Sequence, residues 1–227
     1  LPDRWVRRIG FALGDGLWWL AASRKAVALT NLALCFPDLA PERRREIARG
    51  HFRCYAASFV ERFILWHEPP ERIQRLVRLL DMHHFLPHQG KPVIILAPHF
   101  VGLDAGGIRL QLDIGGASMF ANQKSRALTE LMTRGRSRFR GTRMFVRNDG
   151  MRPAIRVLRE GVPFYFLPDM DLGARDALFL PFFGVTCATV PSVARLAQIT
   201  GARVVPLVTR MVEHGYEATF HPAWEDF

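Results

Sequence analysis

The run VIIL at residues 93–96 constrains the fold of this chain more than any other segment. Four apolar residues, three of them β-branched and none alternating with a polar one, read as a strand covered on both faces. Such a strand belongs to a parallel sheet packed between helices. Pro98 and Gly102 then break the run, so the chain turns there. The turn carries His99, and Asp104 follows five residues later within PVIILAPHFVGLD, residues 92–104. On one continuous helix a separation of five would set the two side chains roughly 140° apart. A strand exit followed by a helix from about Val101 removes that obstacle. Asp104 then lies in the first turn and is expected to accept a hydrogen bond from one imidazole nitrogen, leaving the other as a base.

Downstream the pattern alternates. Strands are predicted at 93–96, 117–121, 144–146, 162–167, 203–208 and 216–220, and helices at 103–112, 126–138, 151–159 and 192–200. The fold class is therefore α/β, with a mixed, mostly parallel central sheet and helices on both faces. Residues 1–90 read as an N-terminal helical segment of the same domain, with 91–227 as its α/β core. Pro41 opens a long helix to residue 66, in which Ile47, Phe52, Tyr55, Phe59 and Phe63 recur at helical spacing and are expected in the core. Residues 71–80 are expected to continue helical. The chain starts at Leu1 without methionine and stops at Phe227 in a strand-rich stretch, which reads as truncation at both ends.

The formal charge of +10 and a pI of about 10.6 point to anionic partners: phospholipid, a phosphorylated substrate, an acidic protein or nucleic acid. Lysine occurs only at 25, 91 and 124, so arginine carries nearly all the positive charge. That suits bidentate phosphate contacts, and a GC-rich genome gives the same bias. Residues 134–147 hold an arginine run that includes Arg136, read either as a solvated basic face or as a phosphate-binding surface. Residues 5–22 carry Trp18 and Trp19 between basic ends, too short an apolar stretch to span a bilayer. They either lie at a membrane interface or pack on their own domain.

Cys35, Cys54 and Cys187 are odd in number and lack CxxC spacing, which argues against a disulfide framework or zinc ribbon and for a reducing compartment. His84 and His88 are separated by Pro87, which spoils a helical metal pair, so no metal is expected. No G-x-S-x-G elbow, Walker loop or dinucleotide fingerprint is present. Gly102, Gly106 and Gly107 are expected to let substrate approach the backbone closely. Asp169 and Asp171, in PDMDLG at 168–173, follow an apolar strand and fall at the sheet edge where α/β sites gather. Magnesium binding, glycoside hydrolysis and a capped loop all remain open for them.

Nearly end to end, the chain resembles the lipid A biosynthesis (late) acyltransferases, the lauroyl/myristoyl acyltransferases of Gram-negative bacteria. The resemblance rests on NLALCFPD (31–38), the His99–Asp104 spacing, RGRSR (134–138), FLPDMDLG (166–173), FLPFFG (179–184) and GARVVP (201–206). It implies a glycerolipid-acyltransferase-like fold at the cytoplasmic face of the inner membrane, against anionic lipid. The implied reaction moves an acyl chain from acyl carrier protein, or acyl-CoA, to a hydroxyl of a lipid A precursor, giving an acyloxyacyl group without cofactor or metal. His99 is then the base and Asp104 its orienting partner. Arg147, ending GTRMFVR (141–147), faces a phosphate together with Arg136. Asp169 and Asp171 organise substrate hydroxyls or pair with Arg175. Nucleic acid is not an expected partner. The alternatives are another envelope acceptor (glycerophosphate, an ornithine lipid or a glycolipid) or a basic membrane- or RNA-binding module without catalysis.

Overall fold

The computed structural model describes residues 1–139, 141–170, 173–175 and 177–225. They fall into two compact units, Leu1–Phe63 with Asp171–Val190, and Ile64–Met170 with Pro191–Phe227. In chain order the elements are α1 (Asp3–Leu20), α2 (Ala22–Cys35), α3 (Pro41–His67), α4 (Pro70–Leu76), β1 (Val77–Leu80), β2 (Val93–Leu96), α5 (Leu103–Asp113) and β3 (Gly116–Phe120). There follow α6 (Arg126–Arg136), β4 (Thr142–Val146), α7 (Arg152–Arg159), β5 (Phe164–Phe166), β6 (Leu178–Phe182), β7 (Val185–Thr189), α8 (Ser192–Thr200), β8 (Arg203–Val212) and β9 (Gly215–Phe220).

The second unit is built on a seven-stranded sheet of order β1-β9-β8-β2-β5-β3-β4. Every neighbouring pair is parallel except the β8–β9 hairpin, so the expected mixed, mostly parallel sheet is present. The strand VIIL lies at its centre, between β8 and β5. Successive side chains of a strand point to opposite faces, and here both faces are apolar. Ile94 packs with Phe164, Phe166, Val204, Leu158 and Leu196, whereas Val93 and Ile95 pack with Phe85, Tyr165, Val205, Leu207 and Phe220. That double burial is why these strands lack a polar alternate.

Two expectations are corrected. Residues 77–80 form an edge strand, parallel to β9 in the register Val77–Tyr216, and do not continue α4. Pairing with β9 overrides the local helical pattern of a four-residue segment. The aromatic stripe of α3 is also not core: Phe52 is buried, but Ile47, Tyr55, Phe59 and Phe63 are exposed. The buried face of α3 is one position away, at Ala48, Ala56, Ala57 and Glu61. Within the first unit α1 approaches that face through Gly10 and Gly14. A Cβ on Gly10 would lie 2.3 Å from the Ala57 Cα, and one on Gly14 2.5 Å from the Arg53 Cα. Backbones this close admit only small residues between them, so the large rings are turned outward.

A buried ion pair locks the two helices, beside the more exposed pairs of Asp15 with Arg49 and Arg53. The Arg7 Nε donates to Glu61 Oε1 at 2.7 Å and Nη2 to Oε2 at 3.2 Å, with the Glu61 side chain fully buried. Removing one partner of a buried pair strands the other charge, at a cost of about 3–5 kcal/mol. Glu61→Ala is therefore expected to lower the chemical-denaturation midpoint sharply, and Arg7→Met with Glu61→Leu to recover most of the loss. Equal midpoints for wild type and Glu61→Ala would show that the pair does not hold α1 to α3.

Candidate active site

Strands β2 and β5 are parallel neighbours in the register Ile94–Phe164, Ile95–Tyr165 and Leu96–Phe166. The Ala97 N–H extends the ladder by donating to the Phe166 carbonyl. Each strand then exits through a proline, Pro98 and Pro168, so His99 and Asp169 stand the same number of residues past the last pair. Register alone thus brings the two side by side. Asp169 grips His99 at two points: Oδ2 accepts the His99 backbone N–H at 2.7 Å, and Oδ1 lies 2.6 Å from Nδ1. An ionised carboxylate only accepts, so Nδ1 carries the proton and the lone pair resides on Nε2. The side chains are 37% and 41% exposed, open enough for a substrate to reach that nitrogen.

The expected His99–Asp104 hydrogen bond is not found among the described residues. Asp104 does occupy the first turn of α5, as predicted, but its carboxylate is turned to α6. Arg136 donates through Nε to Asp104 Oδ1 at 2.9 Å, with Nη2 2.8 Å from the same oxygen. Both groups are largely buried, with side-chain exposures of 20% and 9%. The guanidinium is satisfied better by a carboxylate on the facing helix than a neutral imidazole would be, since the bond is charge-assisted.

Below this pair the Tyr165 hydroxyl donates to the Leu103 carbonyl at 3.0 Å, tying α5 to β5. Burial pushes the phenol well above its ordinary range, the Asp104 and Asp169 carboxylates push it further, and Arg136 opposes them. Tyr165 therefore stays a neutral donor. Sequence reasoning passed it over because a tyrosine inside an apolar strand run carries no local polar signal. Arg138, the last residue of RGRSR (134–138), donates through its guanidinium to the Leu65 and Glu68 carbonyls and caps the end of α3. Desolvation lowers its pKa and Glu68 counters that. Gly135 lets α6 lie on the Trp66 ring, where a Cβ would come within 2.4 Å. These contacts set the position from which Arg136 reaches Asp104.

The glycines after His99 serve packing. Cβ atoms on Gly102 and Gly106 would lie 2.7 and 2.1 Å from Thr209 side-chain atoms, and one on Gly107 3.1 Å from Tyr165. They seat α5 on the sheet, which corrects the expectation that they admit substrate to the backbone. Arg147 is exposed in the short turn Arg147–Asp149 after β4. It lies on the same sheet edge as His99, three strand spacings away, or roughly 15 Å. Between them, at the end of β3, a shallow cleft is lined by Phe120, Ala121, Gln123, Thr133 and Arg136. Arg175 is exposed in a turn of the first unit. Asp171 lies outside the described residues. Among the described residues no cluster of three or more His, Cys, Asp or Glu side chains could hold a metal ion.

The family model for bacterial lipid A biosynthesis acyltransferase matches residues 1–226. A lipid A biosynthesis acyltransferase of Haemophilus influenzae is 29% identical over 98% of this chain and 70% of its own length. A lipid A biosynthesis lauroyltransferase of Escherichia coli is 27% identical over 95% of this chain and 71% of its own. A lipid A biosynthesis myristoyltransferase of the same species is 34% identical over 91% of this chain and 64% of its own.

Proposed function

Because the chain belongs to the bacterial lipid A biosynthesis acyltransferase family, we propose that it transfers a fatty acyl chain to a hydroxyl of a lipid A precursor, leaving an acyloxyacyl group. The donor in this reading is an acyl carrier protein thioester, with acyl-CoA as the chemical equivalent. The observation that carries the mechanism is the two-point grip of Asp169 on His99, which frees Nε2 as a base. Nε2 removes the proton of the acceptor hydroxyl as its oxygen attacks the thioester carbonyl. The tetrahedral intermediate collapses with cleavage of the carbon–sulfur bond, and the departing thiolate takes the proton back from the imidazolium. Asp169 fixes the tautomer and stabilises the imidazolium between these steps. The Asp104–Arg136 pair holds the start of α5 beside the base. Arg147 is suited to a phosphate of the acceptor, far enough from His99 for a headgroup to lie between them.

No cofactor enters this scheme, since a thioester is already activated. The acceptor implies a membrane surface, and we place the protein at the cytoplasmic face of the inner membrane, against anionic lipid. Among the described residues no helix is long and apolar enough to cross a membrane. In α1 the inward positions are Arg7, Gly10 and Gly14, while Trp5, Ile9, Leu13 and Leu17 are exposed, an arrangement that suits an interfacial helix. Relatives named for lipid A favour that acceptor over glycerophosphate, an ornithine lipid or a glycolipid.

Incubation with acyl carrier proteins of several chain lengths and a lipid A precursor, read by product mass, tests the proposal. The acceptor is expected to gain one acyl group, equally well in excess chelator. Absence of thioester turnover together with salt-sensitive RNA affinity would support the non-catalytic basic module instead. Loss of activity in chelator, restored by Mg²⁺, would make Asp169 a metal ligand.

A further inference from the structure

Residues 177–190, ALFLPFFGVTCATV, contain no charged side chain. They form the β6–β7 ribbon, antiparallel from Leu178–Thr189 to Phe182–Val185, a separate two-stranded sheet in the first unit. A ribbon of two strands is marginal in water unless one face is covered. Here every residue of β6 is exposed, and Leu178, Phe179, Leu180 and Phe182 each show 46–62% of their surface. Large apolar side chains on both faces of one ribbon are more than the scattered exposure common on protein surfaces, and a contiguous patch of that kind marks an interaction surface.

The turn gives the second observation. Phe183 has φ 50° and Gly184 φ 75°, two left-handed residues in a two-residue loop. That is the type I′ pattern, in which the first position ordinarily carries asparagine because its short polar side chain tolerates the left-handed region. A phenylalanine there is strained. A loop needed only to reverse the chain has no use for a ring at the strained position. Phe183 is 54% exposed, and its ring meets Phe182 at 4.8 Å and the exposed Phe36, just past α2, at 5.1 Å. The tip is thus an aromatic cluster facing outward.

We propose that the β6–β7 ribbon is a membrane wedge, whose aromatic tip enters the boundary between headgroups and acyl chains of an anionic bilayer. Its lack of charge means that entry desolvates no ion. In the same unit, cations accompany aromatic rings: the Arg8 guanidinium lies 5.1 Å from the ring of the exposed Trp5, and the Lys25 ammonium 5.2 Å and 5.9 Å from the half-buried Trp18 and the exposed Trp19. Aromatic rings beside basic side chains complement anionic headgroups over an apolar layer. The outer edges of a two-stranded ribbon keep unpaired backbone groups, which hydrocarbon cannot satisfy, so the wedge stops at the interface. The inference rests on the proposed reaction only in that the acceptor resides in a membrane.

Binding is therefore measured without acceptor, on the full chain, with vesicles of phosphatidylglycerol and phosphatidylethanolamine in high salt that screens the arginines. Phe179→Ser with Phe182→Ser is expected to lower partition at least about tenfold, in proportion to the apolar area withheld, while transfer to a detergent-dispersed acceptor stays within about twofold. Phe183→Asn supplies the control for folding. It relieves the strained turn, so it should raise thermal stability and yet weaken partition. Unchanged partition in both variants overturns the wedge. Unchanged partition with loss of transfer in detergent would assign the ribbon to the acyl chain of a substrate. A change from dimer to monomer with unchanged partition would assign it to a second copy of the chain. Either result also overturns the proposal. Failure of transfer in wild type with normal partition would count against the reaction and leave the wedge standing.

Discussion

His99→Ala is expected to lower acyl transfer by about 10²- to 10⁴-fold, the usual contribution of a general base, with the fold intact. The thioester needs no activation of its own, but an unassisted hydroxyl is a poor nucleophile, and no other imidazole stands at the end of β2. His99 is partly exposed at a strand exit, and its side-chain hydrogen bond is to Asp169. Its removal therefore withdraws the base without opening the core. The measurement is kcat with a detergent-dispersed acceptor, beside a thermal melt of the same sample. A well-folded variant turning over within about twofold of wild type would eliminate His99 as the base.

Asp169→Asn is expected to cost nearly as much, about 10²- to 10⁴-fold in kcat with little change in KM. The carboxylate serves two donors on His99, its backbone N–H and its Nδ1–H. An amide has one acceptor oxygen, so its NH₂ must face one of those donors and the imidazole loses either its orientation or its tautomer. The neutral amide also no longer stabilises the imidazolium formed as the hydroxyl attacks. Asp104→Asn serves as the contrast. It weakens the partly buried pair with Arg136 and should lower stability while costing kcat less than Asp169→Asn does. The reverse result, with Asp104→Asn abolishing turnover in a folded protein and Asp169→Asn sparing it, would show that catalysis uses the pairing suggested by the sequence spacing.

The alternation of apolar runs and amphipathic stretches made most of the second unit legible. Strand 93–96 and helix 192–200 fall where they were predicted, and other bounds differ by a few residues. Strand β1 escaped because four residues beside a helix carry too little pattern, and its partner β9 lies far along the chain. The β6–β7 ribbon was not read as an element, since exposure on both faces leaves no alternation to detect. In α3 the periodicity was real, but the choice of inward face belonged to the glycines of α1, which require small neighbours.

By itself the sequence determined the chemical types present and much of their placement: a histidine at a buried strand exit, a carboxylate in the following helix, aspartates after a second strand, and arginines after a third. It also carried the motifs by which the family resemblance was recognised. Which carboxylate serves the histidine was decided by the tertiary structure. Asp104 is near His99 along the chain, whereas Asp169 is 70 residues away and becomes adjacent only when β2 and β5 pair in parallel register. Sequence spacing fixes relations within one element and its turn. Contacts between strands depend on strand order, which local periodicity does not encode, because every buried strand shows the same apolar run whichever neighbour it takes.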